Sequence, residues 1–179
     1  YITGLRTGAA AAIGAKHLAR PDSESFLMVG TGHQSLFQIA AMLCTFPRLK
    51  HVFVYDPLDY KRALSRITTL ETDMKNVLGM ELFPELLFEA VDSLEQAVGK
   101  SDIITTATPA RAPLIPDSWV RPGNHFSCVG SDMTGKQELD PAILSRARVF
   151  VDDLPQCIEV GEIEQAIKTG VLRKEDIIG

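Results

Sequence analysis

The sequence predicts an α/β protein with a doubly wound, mostly parallel β-sheet that carries helices on both faces. Short segments rich in β-branched and aromatic residues alternate along the chain with segments of helical periodicity. The predicted strands are continuous apolar runs, which indicates strands that are buried on both faces. A glycine-containing turn at residues 30–32 joins the first of these strands directly to a helix.

The predicted strands follow from apolar content and from the turn residues that flank each run. They cover residues 26–30, 51–56, 86–91, 102–108, 125–130 and 148–153. The last of these, "RVFVDD", is the final clear strand that we expect.

The predicted helices follow from helical spacing and from proline and glycine signals. Residues 5–19 are rich in alanine, and this helix ends before Pro21. Residues 33–45 place apolar side chains at helical spacing. The others are a helix opened by Pro57 that runs to about Asn76, a short helix stopped by Gly99, and helices over residues 140–147 and 160–170.

Composition excludes several classes of function. The chain has 179 residues, of which 45% are apolar and 23% charged, and its net charge is −5. An acidic chain without a basic run is not expected to bind nucleic acid, and no apolar segment approaches the ~20 residues that span a bilayer. Cys44, Cys128 and Cys157 are far apart and odd in number, so they predict neither a metal site nor disulfides. We therefore expect a cytoplasmic protein that binds no metal, membrane or nucleic acid.

The turn after the first strand reads Gly30-x-Gly32-x-x-Ser35. Because it follows a predicted strand and opens a predicted helix, it has the setting of a dinucleotide-binding fingerprint in a Rossmann-type domain. Gly30 allows the tight turn, Gly32 lets the backbone approach a pyrophosphate, and Ser35 is small enough for close packing of helix against strand. Free N–H groups at the helix start attract the phosphates. The alternative is a turn that merely needs glycine.

Asp56 ends the second predicted strand, 21 residues after Ser35. A carboxylate at this place accepts hydrogen bonds from the adenosine ribose hydroxyls. It also repels a 2′-phosphate, by roughly 4 kcal/mol for two unit charges at about 4 Å and an effective dielectric constant of about 20. NAD(H) is therefore expected rather than NADP(H), unless Lys61 or Arg62 turns toward the site. The alternative role of Asp56 is a helix N-cap in Asp-Pro-Leu-Asp.

Two further segments follow predicted strands at the edge where such sheets bind ligands. Thr106, Thr108 and Pro109 in "TTATPAR" are expected to face the cofactor, and the alternative is a simple exit from the strand. Asp132 lies in the loop after the fifth strand. It could act as acid or base on an amino-acid nitrogen, or hold the loop as an Asx-turn residue, and the residues alone leave both open.

Four stretches together resemble the ornithine cyclodeaminase/μ-crystallin family: "LRTGAAAAIGAKHLAR", "GTGHQSLFQ", "DIITTATPAR" and "VGSDMTGKQELDPAILSRARVFVDD". The resemblance implies NAD(P)-dependent oxidation of an amino-acid α-amino group, or reduction of the corresponding imine. Cyclodeaminases, amino-acid dehydrogenases and ketimine reductases belong to this family. The usual Arg-Thr-Ala-Ala reads Arg6-Thr7-Gly8-Ala9 here, and Ser131 and Thr134 also depart from the pattern.

By resemblance, Arg6 binds the substrate carboxylate and Asp132 is the catalytic acid or base. The predicted contacts to the cofactor are Gly30, Thr31, Gly32, His33, Gln34, Ser35, Asp56, Thr106, Ala107, Thr108 and Gly130. A non-catalytic nucleotide-binding or regulatory domain is the alternative function.

The resemblance also implies a domain organisation. Residues 1–20 are expected to be a connecting helix from a substrate-binding and dimerisation domain that the chain does not include. Residues 21–155 are expected to form the dinucleotide-binding domain, and residues 156–179 a helical segment that returns toward the other domain. The longer protein is expected to be a homodimer that acts on a small amino acid or cyclic imine. The 179-residue piece alone is expected to be inactive or nearly so.

Overall fold

A computed structural model describes residues 1–82 and 84–178 of the chain. Within this described part, one compact unit contains residues 1–107 and 121–129, and a second contains residues 108–120 and those from 130 onward. The strands are β1 (Ser25–Val29), β2 (His51–Tyr55), β3 (Leu87–Ala90), β4 (Ile103–Thr106), β5 (Arg111–Ile115), β6 (His125–Cys128) and β7 (Gln137–Leu139).

The helices follow the strands in alternation over most of the chain. They are α1 (Ile2–Leu18), α2 (His33–Thr45), α3 (Tyr60–Asp73), α4 (Leu94–Lys100), α5 (Pro141–Arg146), α6 (Leu154–Glu159) and α7 (Glu164–Lys168). A π-helical turn, Met74–Leu78, extends α3, and 3₁₀ turns lie at Asp117–Trp119 and Lys174–Asp176. None of the helices in the described part combines the length and apolarity that a bilayer span requires.

The first unit is built on a parallel sheet in the order β3-β2-β1-β4-β6. All residues of β1 and β4 are buried, as expected for central strands covered on both faces. Along the register, Phe26 pairs with Val52 on one side and with Ile103 on the other. These three side chains belong to one core cluster with apolar residues of α1 and α2. The predicted doubly wound, mostly parallel α/β fold is confirmed.

Helices α1 and α2 pack at unusually close range because α1 presents small residues to its neighbour. The buried positions of α1 are Gly4, Gly8, Ala11, Ala12 and Ala15. A Cβ atom added at Gly8 would lie 2.7 Å from the backbone carbonyl oxygen of Phe37. A residue larger than glycine therefore cannot occupy position 8 unless one of the helices moves.

The second unit contains a small sheet in which β5 and β7 run parallel. Its apolar cluster consists of Val149, Ile163, Ala166 and Leu172, with further side chains packed around them. Arg146 at the end of α5 donates through Nε to Asp117 Oδ1 at 2.6 Å, which ties α5 to the preceding 3₁₀ turn.

Several predicted boundaries are wrong. Helix α3 begins at Tyr60 rather than at Pro57, because the Asp59 side chain accepts from Lys61 N at 2.9 Å and caps the helix there. Gly99 lies inside α4 and does not stop it. Residues 160–170 contain only the short helix α7, which begins at Glu164.

The predicted strand over residues 148–153 is also wrong, and this segment is irregular. Val149 is buried among side chains of the second unit, and its carbonyl accepts one hydrogen bond, from Ile178 N at 2.8 Å. A β-branched run without a partner strand cannot form a ladder. Strands β5 and β7 and helix α6 were not predicted, because they are short and carry weak periodicity.

Candidate functional site

The glycine turn between β1 and α2 leaves backbone N–H groups open toward solvent. Gly30 has φ of 103°, a value that favours glycine, and its N–H donates to Tyr55 O at 2.8 Å. Gly32 is the N-cap of α2, and no side chain caps the helix there. A Cβ atom at Gly32 would meet nothing within 4 Å. The turn therefore offers uncapped donors at a helix N-terminus with free space before them, as a phosphate ligand requires.

Asp56 lies just after β2 and is joined to the glycine turn. Its Oδ2 accepts hydrogen bonds from the hydroxyl of Thr31 and from Thr31 N, the latter at 3.3 Å. Its Oδ1 accepts from Leu58 N at 3.0 Å, and Arg62 Nε lies 3.4 Å from Oδ2. Burial alone raises the pKa of Asp56, but the hydrogen bonds from Thr31 and Leu58 and the charge of Arg62 outweigh it and hold the pKa below its usual value.

The helix-cap alternative for Asp56 does not describe this geometry, because Asp59 is the residue that caps α3. Asp56 forms an Asx-type turn with Leu58 instead. An open pocket of about 170 Å³ lies at this end of β2. Its lining includes Asp56, Asp59 and Asp92, so the pocket is strongly acidic.

Other predicted cofactor residues of the first unit carry polar atoms with no partner among the described residues. The Oε1 atom of Gln34 and the Oγ1 atom of Thr106 are buried without a hydrogen bond in this part of the chain. Ser35 is buried and donates to Gly32 O at 2.8 Å, while His33 is exposed and packs against Phe37. Because buried polar groups are almost always paired, these two oxygens are places where a bound ligand would supply the missing hydrogen bond.

Ala107 and Arg6 have fewer features that point to a bound ligand. Ala107 N donates to Val29 O at 2.9 Å, so this residue continues the parallel pairing beyond β4. Arg6 is exposed on α1 and forms no ion pair within residues 1–82 and 84–178. Its guanidinium is therefore available to an anion.

Thr108 and Gly130, in the second unit, use their polar groups on the same buried carboxylate. Glu138 Oε1 accepts from Thr108 N at 2.8 Å and from Thr108 Oγ1 at 2.7 Å. Glu138 Oε2 accepts from Gly130 N at 3.1 Å. The N–H groups of these two predicted cofactor residues are thus engaged within the protein.

Asp132 is the exposed member of the loop that follows Gly130. Its side chain is 70% exposed and forms an ion pair with Lys136, whose side chain is 14% exposed. In the described part of the chain, its carboxylate accepts from this ammonium group rather than from a loop amide. Asp132 therefore does not hold the loop as an Asx-turn residue.

Three glutamates that the sequence did not single out are held beside this loop. Burial raises the pKa of Glu162, and hydrogen bonds from Ser131 and from two amides of β7 reduce that rise. Hydrogen bonds from Lys168 and from Gly135 N hold the pKa of Glu164 below its usual value. In the sequence, Glu138 lies in "GKQEL", and Glu162 and Glu164 lie in "GEIE", where each stands beside an apolar residue that indicates partial burial.

The family of this chain follows from comparison with known proteins. The model of the ornithine cyclodeaminase/mu-crystallin family matches residues 1–179. The chain belongs to this family. The resemblance given by the sequence motifs is thereby confirmed, as is the Rossmann-type fold.

Several relatives of the chain are named as enzymes that act on amino acids or imines. The chain is 37% identical to an alanine dehydrogenase of Archaeoglobus fulgidus over 177 residues, which are 99% of this chain and 50% of that protein. It is similar to the iminosuccinate reductase of Paracoccus denitrificans in complex with NAD⁺, with a TM-score of 0.83 and 36% identity over 98% of this chain and 50% of the other.

A third relative carries both a cofactor and an amino acid. It is the Δ(1)-pyrroline-2-carboxylate reductase of Thermococcus litoralis in complex with NADH and L-proline, with a TM-score of 0.83 and 32% identity over 98% of this chain and 51% of the other. The chain thus spans about half the length of the relatives that it matches.

Proposed function

We propose that this chain is the NAD(H)-binding part of an enzyme that oxidises the α-amino group of an amino acid or reduces the corresponding imine. The observation that carries the proposal is the pairing of Thr31 in the glycine turn with Asp56, beside an acidic pocket and the open face of Gly32. The relatives support the reaction class, because an alanine dehydrogenase and two imine reductases are among them.

The residues of the first unit have distinct roles in this proposal. The N–H groups at the start of α2 bind the pyrophosphate, and Gly32 leaves room for it. Asp56 accepts from the adenosine ribose, while Thr31 holds the carboxylate in place. Gln34 and Thr106 supply buried oxygens that the cofactor satisfies. NAD⁺ supplies the hydride acceptor for the reaction.

We propose NAD(H) rather than NADP(H) as the cofactor. Asp56 is joined by Asp59 and Asp92 in the lining of the adjacent pocket, and these charges oppose a 2′-phosphate. Arg62, whose Nε atom lies 3.4 Å from Asp56 Oδ2, is already paired with that carboxylate. A 2′-phosphate would therefore have to compete for a cation that is in use.

On the substrate side, Arg6 binds the amino-acid carboxylate and Asp132 exchanges a proton with the amino or imino nitrogen. Exposure of both side chains supports these roles, since each is available to a ligand. A guanidinium binds a carboxylate through paired hydrogen bonds, and a carboxylate within hydrogen-bond reach of a substrate nitrogen can exchange a proton with it.

The rest of the protein completes the proposal. Because the relatives are about twice as long, we propose that residues 1–20 and 156–179 connect the dinucleotide-binding part, residues 21–155, to a substrate-binding domain. We also propose a cytoplasmic homodimer; one relative with bound NAD is a dimer, and Cys44 and Cys157 are free thiols. A cyclodeaminase activity, which releases ammonia, would make the enzyme a lyase.

The test uses the full-length protein that contains this chain. NADH and NADPH binding is measured by fluorescence titration, and NADH oxidation is followed with ammonium plus a panel of 2-oxo acids, and with cyclic imines. Gly32→Ala should weaken NADH binding at least tenfold, whereas Gly14→Ala, which also fills open space but lies on α1, should not.

The possible outcomes separate the two candidate functions. Turnover of any panel member that is lost in Asp132→Asn supports the enzyme. Tight NADH binding without turnover of any panel member would instead support a nucleotide-binding or regulatory domain. Equal NADH affinity in Gly32→Ala and the unsubstituted protein would contradict the cofactor site itself.

A further inference from the structure

The loop of residues 130–136 is attached to three buried or largely buried carboxylates. Gly130 N donates to Glu138 Oε2 at 3.1 Å, and the Ser131 hydroxyl donates to Glu162 Oε2. Farther along, Gly135 N donates to Glu164 Oε2 at 2.9 Å. These attachment points lie on both sides of Asp132, which itself points to solvent.

The three carboxylates are themselves held. Glu138 Oε1 accepts from Thr108 N and Thr108 Oγ1, so one side chain joins the segment after β4 to the start of the loop. Glu162 Oε1 accepts from Glu138 N at 2.9 Å and from Leu139 N at 2.6 Å. Glu164 is paired with Lys168. Glu138 and Glu162 are therefore connected through the backbone of β7, and Glu164 holds the far end of the loop separately.

This arrangement is more demanding than a turn requires. Glu138 and Glu164 are fully buried, and burying a carboxylate is unfavourable unless it is paired or well hydrogen-bonded. A loop that only reverses direction is held by glycine or by short Asx residues. Gly130 also permits the approach, because a Cβ atom there would collide with Glu138 and lie 2.6 Å from Thr108 O.

We propose that Glu138, Glu162 and Glu164 are positioning residues that fix the loop of residues 130–136 and thereby hold Asp132 in place for proton exchange. This inference rests on the proposed function, because it assigns Asp132 the role given there. Glu138 is central, since it is the residue that binds both Thr108 and Gly130.

Carboxamide substitution separates the members of the network. In Glu138→Gln, one oxygen becomes an NH₂ group that faces an amide N–H, either that of Gly130 or that of Thr108, and an N–H cannot reverse its role. In Glu162→Gln, the NH₂ group can face Ser131, whose hydroxyl can accept instead of donate. The longer contact from Glu138 N to Oε2 is lost, but the remaining oxygen keeps the shorter bonds from Glu138 N and Leu139 N. Glutamine should thus break the link at position 138 and preserve it at position 162.

The experiment is a double-mutant cycle in the full-length protein, with Glu138→Gln and Asp132→Asn alone and together. Glu138→Gln should lower kcat at least tenfold on its own and less than threefold in the Asp132→Asn background, because its effect passes through Asp132. Glu162→Ala should lower kcat, and Glu162→Gln should restore most of the loss. Glu159→Gln, an exposed glutamate on α6, is the neutral control.

Other results would overturn the inference. If Glu138→Gln lowers kcat by the same factor in the unsubstituted protein and in the Asp132→Asn background, the role of Glu138 is merely structural, although the proposed function still stands. If Asp132→Asn turns over normally, the catalytic role of Asp132 fails, and the positioning role fails with it.

A second measurement does not depend on turnover or on a stable Glu138 variant. Amide hydrogen exchange of residues 130–136 should be at least tenfold faster in Glu138→Gln than in Glu159→Gln. If Glu138→Gln does not fold, Ser131→Ala takes its place, because it removes the hydroxyl that donates to Glu162. Unchanged exchange in the variant that folds would overturn the network as the holder of this loop.

Discussion

The close approach of α1 and α2 predicts opposite effects for two glycine-to-alanine substitutions in the same helix. Gly8 and Gly14 both lie within α1, and alanine is favoured over glycine in a helix interior by about 1 kcal/mol. At Gly14 a Cβ atom meets nothing within 4 Å, so Gly14→Ala should stabilise the chain by about 0.5–1 kcal/mol.

At Gly8 the same atom would lie 2.7 Å from Phe37 O and 3.1 Å from the adjoining carbonyl carbon. These are backbone atoms of α2, so no side-chain rotation relieves the clash, and overpacking of this kind costs about 1–3 kcal/mol. After the gain in helix propensity, Gly8→Ala should change stability by between about 0 and −2 kcal/mol. The free energies of unfolding of the two variants should therefore differ by about 1–3 kcal/mol.

Urea denaturation followed by circular dichroism measures both variants against the unsubstituted chain. Equal stabilisation by Gly8→Ala and Gly14→Ala would contradict the close packing of α1 on α2.

Asp56→Ser should weaken NADH binding and lower the ratio of NADH affinity to NADPH affinity at least tenfold in fluorescence titrations. Asp22→Asn, at an exposed position outside the pocket lining, should leave that ratio unchanged. Burial lowers the pKa of His125 from 6.5 to about 4. Between these two pH values the unfolded chain binds the proton and the folded chain does not, so the free energy of unfolding falls as the pH drops, by up to about 3 kcal/mol. His125→Gln should flatten this pH dependence in urea titrations between pH 7 and pH 4.5. Burial raises the pKa of Glu162, so the free energy of unfolding falls as the pH rises above the usual glutamate pKa, and Glu162→Gln should remove this pH dependence. Glu162→Ala leaves the Ser131 hydroxyl and the amides of Glu138 and Leu139 without this acceptor, and it should cost about 2–4 kcal/mol in thermal unfolding.

Much of the first unit could be predicted because its signals are local. An apolar run such as "FLMV" must be buried, a Gly-Thr-Gly turn after it restricts the backbone, and the helix that follows has matching periodicity. Helix α2 was predicted with the bounds that the structure has, and the parallel sheet followed from the alternation of elements. The family resemblance rested on the same local motifs.

The second unit was predicted less well, because its elements depend on partners distant in sequence. "RVFVDD" has strand composition but no neighbouring strand within the described part of the chain, so it stays irregular, whereas "QEL" becomes β7 because β5 lies beside it. Strand formation is decided by pairing, which composition does not specify.

The sequence alone determined the fold class, the family and the position of the glycine turn, since each depends on residue types at fixed spacing. Only the tertiary structure decided which carboxylates are exposed and which are buried. It places Asp132 in solvent with Lys136, joins Asp56 to Thr31, and brings Glu138, 30 residues after Thr108, onto that residue's amide. A carboxylate's role depends on its solvation and on its donors, and the folded chain alone supplies both.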